Sequence, residues 1–195
     1  MVVVGRDFVF GAARAGSFET LFDLGRLHGF TVEGLDAVRD GIGGVYSSTR
    51  VREALGVGDF SVASQLLGRA HTIEGAVLRG DQRGRTLGYP TANQSLEGLC
   101  LPPYGIYAVR ARIEGEDIWH GGAASLGIRP MFEVATPILE THIFDFNDDI
   151  YGKNLEVAPV GFLRGEARFN SLDALVAQMK QDCLAARAML KSLHL

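Results

Sequence analysis

The residues able to do chemistry fall in two stretches. The first, Arg79-Gly80-Asp81-Gln82-Arg83-Gly84-Arg85-Thr86-Leu87-Gly88, sets three glycines at four-residue spacing among three arginines and a single acid. Backbone N–H groups and guanidinium forks at that density can converge on an anion such as a nucleotide phosphate. An exposed hairpin loop in an arginine-rich chain reads the same way, so the stretch alone leaves both open. Tyr89-Pro90-Thr91-Ala92-Asn93 follows at once. If its backbone is extended, the Thr91 hydroxyl and the Asn93 amide oxygen share one face. Both are hard oxygen donors of the kind Mg²⁺ accepts beside waters and phosphates. The competing reading is a loop in which both side chains bond the backbone.

The second stretch is Leu139-Glu140-Thr141-His142-Ile143-Phe144-Asp145-Phe146-Asn147-Asp148-Asp149-Ile150-Tyr151-Gly152. From Glu133 to Glu156 there are six acids against one lysine, a local charge of −5. Strand alternation places Glu140 on one face with Ile138, His142, Phe144 and Phe146. There desolvation would raise its carboxyl pKa toward general-base duty; a paired edge-strand carboxylate is the alternative. Asp145, Asn147, Asp149 and Glu156 match positions 1, 3, 5 and 12 of a calcium loop. Ile150 at position 6, where glycine is needed, and β-type flanks argue against calcium. The Walker A and protein kinase signatures are both missing. The three lysines, Lys153, Lys180 and Lys191, follow no glycine loop. A bound nucleotide would therefore be held by arginine, backbone and Mg²⁺.

The elements that must position these residues are legible in outline. From His71 onward, runs of six to nine residues rich in β-branched and aromatic types alternate with turns at 80–84, 102–105, 115–117, 127–130 and 147–152, which predicts an antiparallel barrel or sandwich. Ile106–Ile113 alternates as a half-buried strand, and Ile138–Phe146 and Leu155–Leu163 resemble it. Ser171–Leu190 is an amphipathic helix, with Leu172, Leu175, Val176, Met179, Cys183, Ala186 and Leu190 at steps of three and four. Upstream, Val2–Val4 reads as a buried strand. Ser17–Phe30 reads as a helix capped by Ser17 and ended by Gly29. Thr31–Val38 is a weak strand, Ser48 opens a second helix carrying Val51 and Leu55, and Phe60–Leu67 forms a third.

Composition bounds the function. With 195 residues the chain holds one or two domains. At 47% hydrophobic and 22% charged residues it is globular rather than disordered. A net charge of −4 without a basic run excludes a nucleic-acid backbone as partner. Cys100 and Cys183 form no Cys-x-x-Cys pair, as expected of buried thiols in a reducing compartment. Neither a membrane span nor a signal peptide is read, which makes the cytoplasm the expected location.

Taken together, several segments resemble riboflavin kinase, specifically the kinase module of bacterial bifunctional riboflavin kinase/FAD synthetases. They are Gly80–Asn93, Gly105-Ile106-Tyr107-Ala108-Val109, Ser125-Leu126-Gly127-Ile128-Arg129-Pro130, Glu140-Thr141-His142, Asp149-Ile150-Tyr151-Gly152-Lys153 and Phe169-Asn170-Ser171-Leu172, in family order over residues 68 to about 190. The resemblance implies a mainly β fold, a Greek-key antiparallel barrel with a C-terminal α-helix. It also implies transfer of the ATP γ-phosphate to the ribityl 5′-hydroxyl of riboflavin, giving FMN and ADP. By the same resemblance Thr91 and Asn93 are the Mg²⁺–ATP ligands, Gly80 and Arg85 lie in the phosphate-covering loop, Glu140 is the base, and Arg129 lies where flavin contacts are expected. Met131 departs from relatives that carry Thr after the Arg-Pro or Asn-Pro pair.

Residues 1 to about 56 resemble only the second half of the preceding Rossmann-like nucleotidyltransferase domain, through Val4–Gly11 and Ser47–Arg52; the division expected is 1–67 for this segment with its linker helices and 68–195 for the kinase domain. No His-x-Gly-His occurs, so FAD synthesis is not expected, and a catalytically idle flavin- or nucleotide-binding module is the competing reading. An unpaired valine strand makes the N-terminal segment a place for self-association. The break between the two parts is expected between Gly56 and Leu67.

Overall fold

A computed structural model of the chain describes residues 1–80, 83–131 and 134–192. It divides into two compact units, Met1–Ser48 and Thr49–Leu195. The first is a β-α-β arrangement. Strand β1 (Val2–Gly5) and strand β2 (Val32–Leu35) pair in parallel, Val2 opposite Val32 through Gly5 opposite Leu35, joined through helix α1 (Phe18–His28). As the sequence predicts, the Ser17 hydroxyl accepts from the Thr20 N–H at the start of α1, and Gly29 ends it in the left-handed region at φ +75°. The apolar residues are less covered than their pattern implies. Val2 and Val3 are exposed rather than buried, as are Phe22 and Leu27 on the helix.

The second unit opens with α2 (Ser48–Gly56) and α3 (Phe60–Leu67). Asp59 caps α3 by accepting from the Val62 N–H, and Gly68 closes it at φ +69°. Ala54, Leu55, Phe60 and Ala63 all enter the barrel core. The stretch from Gly56 to Leu67, expected as the break between the two parts, is therefore anchored to the barrel.

The barrel consists of β3 (Ile73–Ala76), β4 (Ala92–Ser95), β5 (Gly105–Ile113), β6 (His120–Met131), β7 (Val134–Ile143) and β8 (Asn154–Arg164), with the single-turn helix α4 (Arg83–Thr86) between β3 and β4. The spatial order is β3-β8-β5-β6-β7-β4, and every pairing is antiparallel. The crossovers make β3 and β4 the two edges, and these meet. The Leu78 N–H donates to the Asn93 carbonyl at 2.8 Å, and the fully buried Gln94 spans the same seam, donating from Nε2 to the carbonyls of Gly75 and Leu155. Edge backbone turned into an apolar interior must find partners, and here a glutamine side chain supplies one. Tyr107, Leu126, Leu139, Ile113, Leu155 and Val157 fill the interior.

Helix α5 (Leu172–Ser192) lies on the outside of the barrel, where Ala186 packs with Ala108, Ala123 and Phe144. Leu172, at the start of its predicted stripe, is exposed. The cysteines are not buried as expected: Cys100 is exposed and Cys183 half-buried.

Candidate active site

The seam positions the candidate residues. Strands β4 and β7 pair with Ala92 opposite Thr141, Asn93 opposite Glu140 and Gln94 opposite Leu139. Gln94, Thr141 and Leu139 point inward, so alternation turns Asn93 and Glu140 to the outer face as direct cross-strand neighbours, about 5 Å apart at Cβ in such pairs. Across β6 and β7, Ser125 stands opposite Glu140 and extends that row to a third strand. Glu140 is half-buried.

Asn93 is 7% exposed. Its Nδ2 donates to the Thr91 carbonyl at 3.2 Å, while its Oδ1 has no hydrogen-bond partner among the described residues. A buried amide oxygen left unpaired costs stability and is a ready acceptor or metal ligand. Gly80 rests on this amide: a Cβ there would come within 2.8 Å of Nδ2 and 3.0 Å of Oδ1. The glycine is required by this close approach.

The arginine-glycine stretch is a tight helical turn from Arg83, not an open hairpin loop. The N–H groups of Leu87 and Tyr89 both donate to the Gly84 carbonyl, the Gly88 N–H donates to the Arg85 carbonyl, and Gly88 takes φ +83°. A Cβ on Gly84 would stand 2.3 Å from the Tyr89 carbonyl oxygen. The turn brings Arg85 to a cavity of about 430 Å³ at the barrel mouth. Thr91, Ala92, Thr141 and Ile143 form its inner side, and Phe146 to Tyr151 form the opposite wall. His142 props the Pro90–Thr91 bend from β7, through Nδ1 to the Pro90 carbonyl at 2.9 Å and an edge contact with the Tyr89 ring. Arg79 reaches across to the Tyr151 ring, 5.1 Å from its centroid.

The electrostatics of this cavity are mixed. Arg85, Asp148 and Asp149 all line it, so among the described residues a polyphosphate entering here would meet one cation and two acids. Its charge calls for a further cation at the site. Among the described residues no three His, Cys, Asp or Glu side chains gather to hold a metal. The available ligands are the neutral oxygens of Thr91 and Asn93, which suits an ion that keeps most of its own waters and binds phosphate oxygens.

Of the residues singled out from sequence, the structure brings Gly80, Asn93 and Glu140 together on the outer side of the β4–β7 pair, and Arg85 and Thr91 to the adjoining cavity. The side chain of Arg129 lies outside the described residues. Sequence reasoning missed Thr141, fully buried against the cavity with an Oγ1 that has no partner among the described residues, and the propping role of His142. Both sit inside a quoted motif, but only the register with β4 separates their faces.

The family described as Flavokinase, riboflavin kinase, matches residues 67–190. The chain belongs to the riboflavin kinase family. It is 39% identical over 194 residues to a bifunctional riboflavin kinase/FMN adenylyltransferase of Haemophilus influenzae, covering 97% of this chain and 61% of that protein. It is 43% identical over 188 residues to the protein of the same description from Pseudomonas fluorescens, covering 95% and 59%. The chain thus spans about three fifths of these relatives. A crystal structure described as a macrolide-efflux protein from Streptococcus pneumoniae superposes with a TM-score of 0.73 at 35% identity, covering 94% of this chain and 58% of the other.

Proposed function

We propose that this chain is a riboflavin kinase that transfers the γ-phosphate of ATP to the ribityl 5′-hydroxyl of riboflavin, releasing FMN and ADP. The observation that carries the reading is the pairing of Asn93 with Glu140 at the barrel seam under Gly80, with Thr91 in the adjoining cavity, in a chain of this family. Thr91 and Asn93 would hold Mg²⁺, and the unpaired Oδ1 of Asn93 fits that duty. When bound, the ion neutralises phosphate charge and aligns the phosphates for in-line attack. Arg85 binds phosphate, and the Gly80 backbone closes over the site. Glu140 accepts the 5′-hydroxyl proton as that oxygen bonds to the γ-phosphorus and the bond to the β-phosphate oxygen breaks. Arg129 is assigned to the flavin side.

Residues 1–67 are read as the partial nucleotidyltransferase segment and 68–195 as the kinase domain. Among the described residues no helix is long and apolar enough to cross a membrane. With a net charge of −4 and both cysteines as free thiols, a cytoplasmic enzyme that takes small substrates and no nucleic acid is the reading that fits.

The test is incubation with riboflavin, ATP and Mg²⁺, followed by chromatographic separation of FMN from FAD. FMN and ADP should accumulate in equal amounts with no FAD above background, because the chain has no His-x-Gly-His for adenylyl transfer. Absence of FMN rejects the kinase, and FAD formed from FMN and ATP rejects the assignment of the N-terminal segment as inactive.

A further inference from the structure

Asp145, two residues beyond β7, has φ +56°, a left-handed conformation that L-residues adopt at a cost and aspartate more readily than most. Both of its carboxylate oxygens accept from Arg187 of α5, from Nη1 and Nη2 at 2.9 Å each. The same guanidinium lies 4.2 Å from the centroid of the Phe144 ring. The preceding residues, Phe144 and Ala186, are buried together beneath the pair. Arg187 holds the Asp145 carboxyl below its ordinary range. Both partners are reached by solvent, so the charge alone is a weak tie. The forked geometry, the aromatic plate and the two buried neighbours make this a fixed joint.

The residues after this joint, Phe146 to Tyr151, are a whole wall of the cavity. The far end of the wall is fixed, since Ile150 is buried and the Gly152 N–H donates to the Val77 carbonyl at 2.9 Å. Along the wall, the Phe146 ring stands edge-on to His120 and packs against the barrel core, Tyr151 lies under Arg79, and the Asp149 carboxylate accepts from the Tyr151 N–H. Asp145 is where the backbone turns into this wall, between the buried Phe144 and the packed Phe146 ring, so its conformation sets the direction in which the wall leaves β7. We infer that Arg187 is a positioning residue for the nucleotide cavity: by clamping Asp145 in its left-handed conformation from the C-terminal helix, it sets the 146–151 wall. This rests on the kinase reading, because it takes the cavity to be the nucleotide site. Arg187 itself does not line the cavity.

Arg187→Ala, Arg187→Lys, Asp145→Gly and the Arg187→Ala/Asp145→Gly pair separate the possibilities. Asp145→Gly takes the left-handed conformation without strain but loses the whole side chain and frees the backbone, so Arg187→Ala, which leaves the backbone of the joint unaltered, is the deciding variant. Hydrogen exchange of the ligand-free protein should accelerate roughly fivefold or more at amides 146–152 in Arg187→Ala and Asp145→Gly, with β5 and β6 unchanged. The Kd for Mg²⁺–ADP and the KM for ATP should rise about five- to tenfold while kcat stays within about twofold. Arg187→Lys should fall between, and the double variant should be no worse than either single one. Unchanged exchange in the wall, acceleration spread equally over β5 and β6, or unaltered nucleotide affinity would each overturn the inference. An inactive wild-type chain sinks the kinase reading instead, and exchange with Mg²⁺–ADP binding still decides the clamp.

Discussion

Asn93 and Glu140 are cross-strand neighbours because the β4–β7 register buries Gln94 and Leu139, and a slip of one residue in either strand would turn that strand's polar residue into the core. The period-two reading puts Thr91 with Asn93 on one face and Glu140 on a single strand face, but their roles are implied by the resemblance and not by the spacing. Gln94 was not legible: a buried glutamine makes sense only once the seam carbonyls of Gly75 and Leu155 are known. If Glu140 accepts the substrate proton, Glu140→Gln should preserve nucleotide and riboflavin binding and lower kcat by about 10²–10⁴. A variant within about threefold of the parent would make the carboxylate structural. Tyr107 offers a separate test at the same scale. It is fully buried, edge-on to Phe60 and Phe162, and its hydroxyl donates to the Pro103 carbonyl. Burial pushes its phenol up to about 12. The fold favours the neutral form, so this stability is complete below the ordinary phenol value near 10 and is lost as pH rises through about 12. The melting temperature should therefore fall between those pH values. Tyr107→Phe should show a shallower alkaline decline, at a cost of about 1 kcal/mol at neutral pH for the lost hydrogen bond.

Among the elements, α5 was read from its apolar steps, and its limits agree within two residues. Its strongest attachment was not read. Asp182 falls on the same face as Met179 and Ala186, at steps of three and four, and is as buried as the apolar residues around it. It accepts from Arg164 Nε at 2.8 Å and Nη2 at 2.6 Å, and from Gln178 Nε2 at 2.9 Å. The end of β8 is thereby tied to the helix, with Arg164 also over the Phe169 ring. An acid within an apolar stripe looks like a break in the pattern, and only the strand end it meets explains it. Asp182→Ala leaves a partly buried guanidinium without its carboxylate, so urea unfolding should show a loss of about 2–4 kcal/mol. A loss under about 0.5 kcal/mol would class the pair with exposed ion pairs. The α4 turn failed for a different reason: four residues of glycine and arginine carry no periodicity, and its shape comes from the Gly84 carbonyl collecting two N–H groups.

At the scale of the whole molecule, the N-terminal unit is the part least able to account for its own stability. Its sheet is two parallel strands, an arrangement that ordinarily needs cover on both faces. Val3 is 46% exposed, Leu35 53% and Leu27 75%. Apolar surface beside unpaired strand edges invites association, or else leaves the unit marginal. The division at Ser48 and Thr49, with α2 and α3 anchored in the barrel core, moves the expected weak point upstream of Gly56. Residues 36–47 hold neither α-helix nor extended strand, and Val38 and Ile42 stand exposed. Limited proteolysis should therefore cut within 36–47 and leave a fragment from about residue 48 onward that still converts riboflavin to FMN. Sedimentation of the intact chain should show association that rises with concentration and is absent from the fragment. A chain that resists protease throughout and sediments as a monomer at all concentrations would mean that the exposed valines and leucines of the first unit are already covered, and the argument from its open sheet would fail.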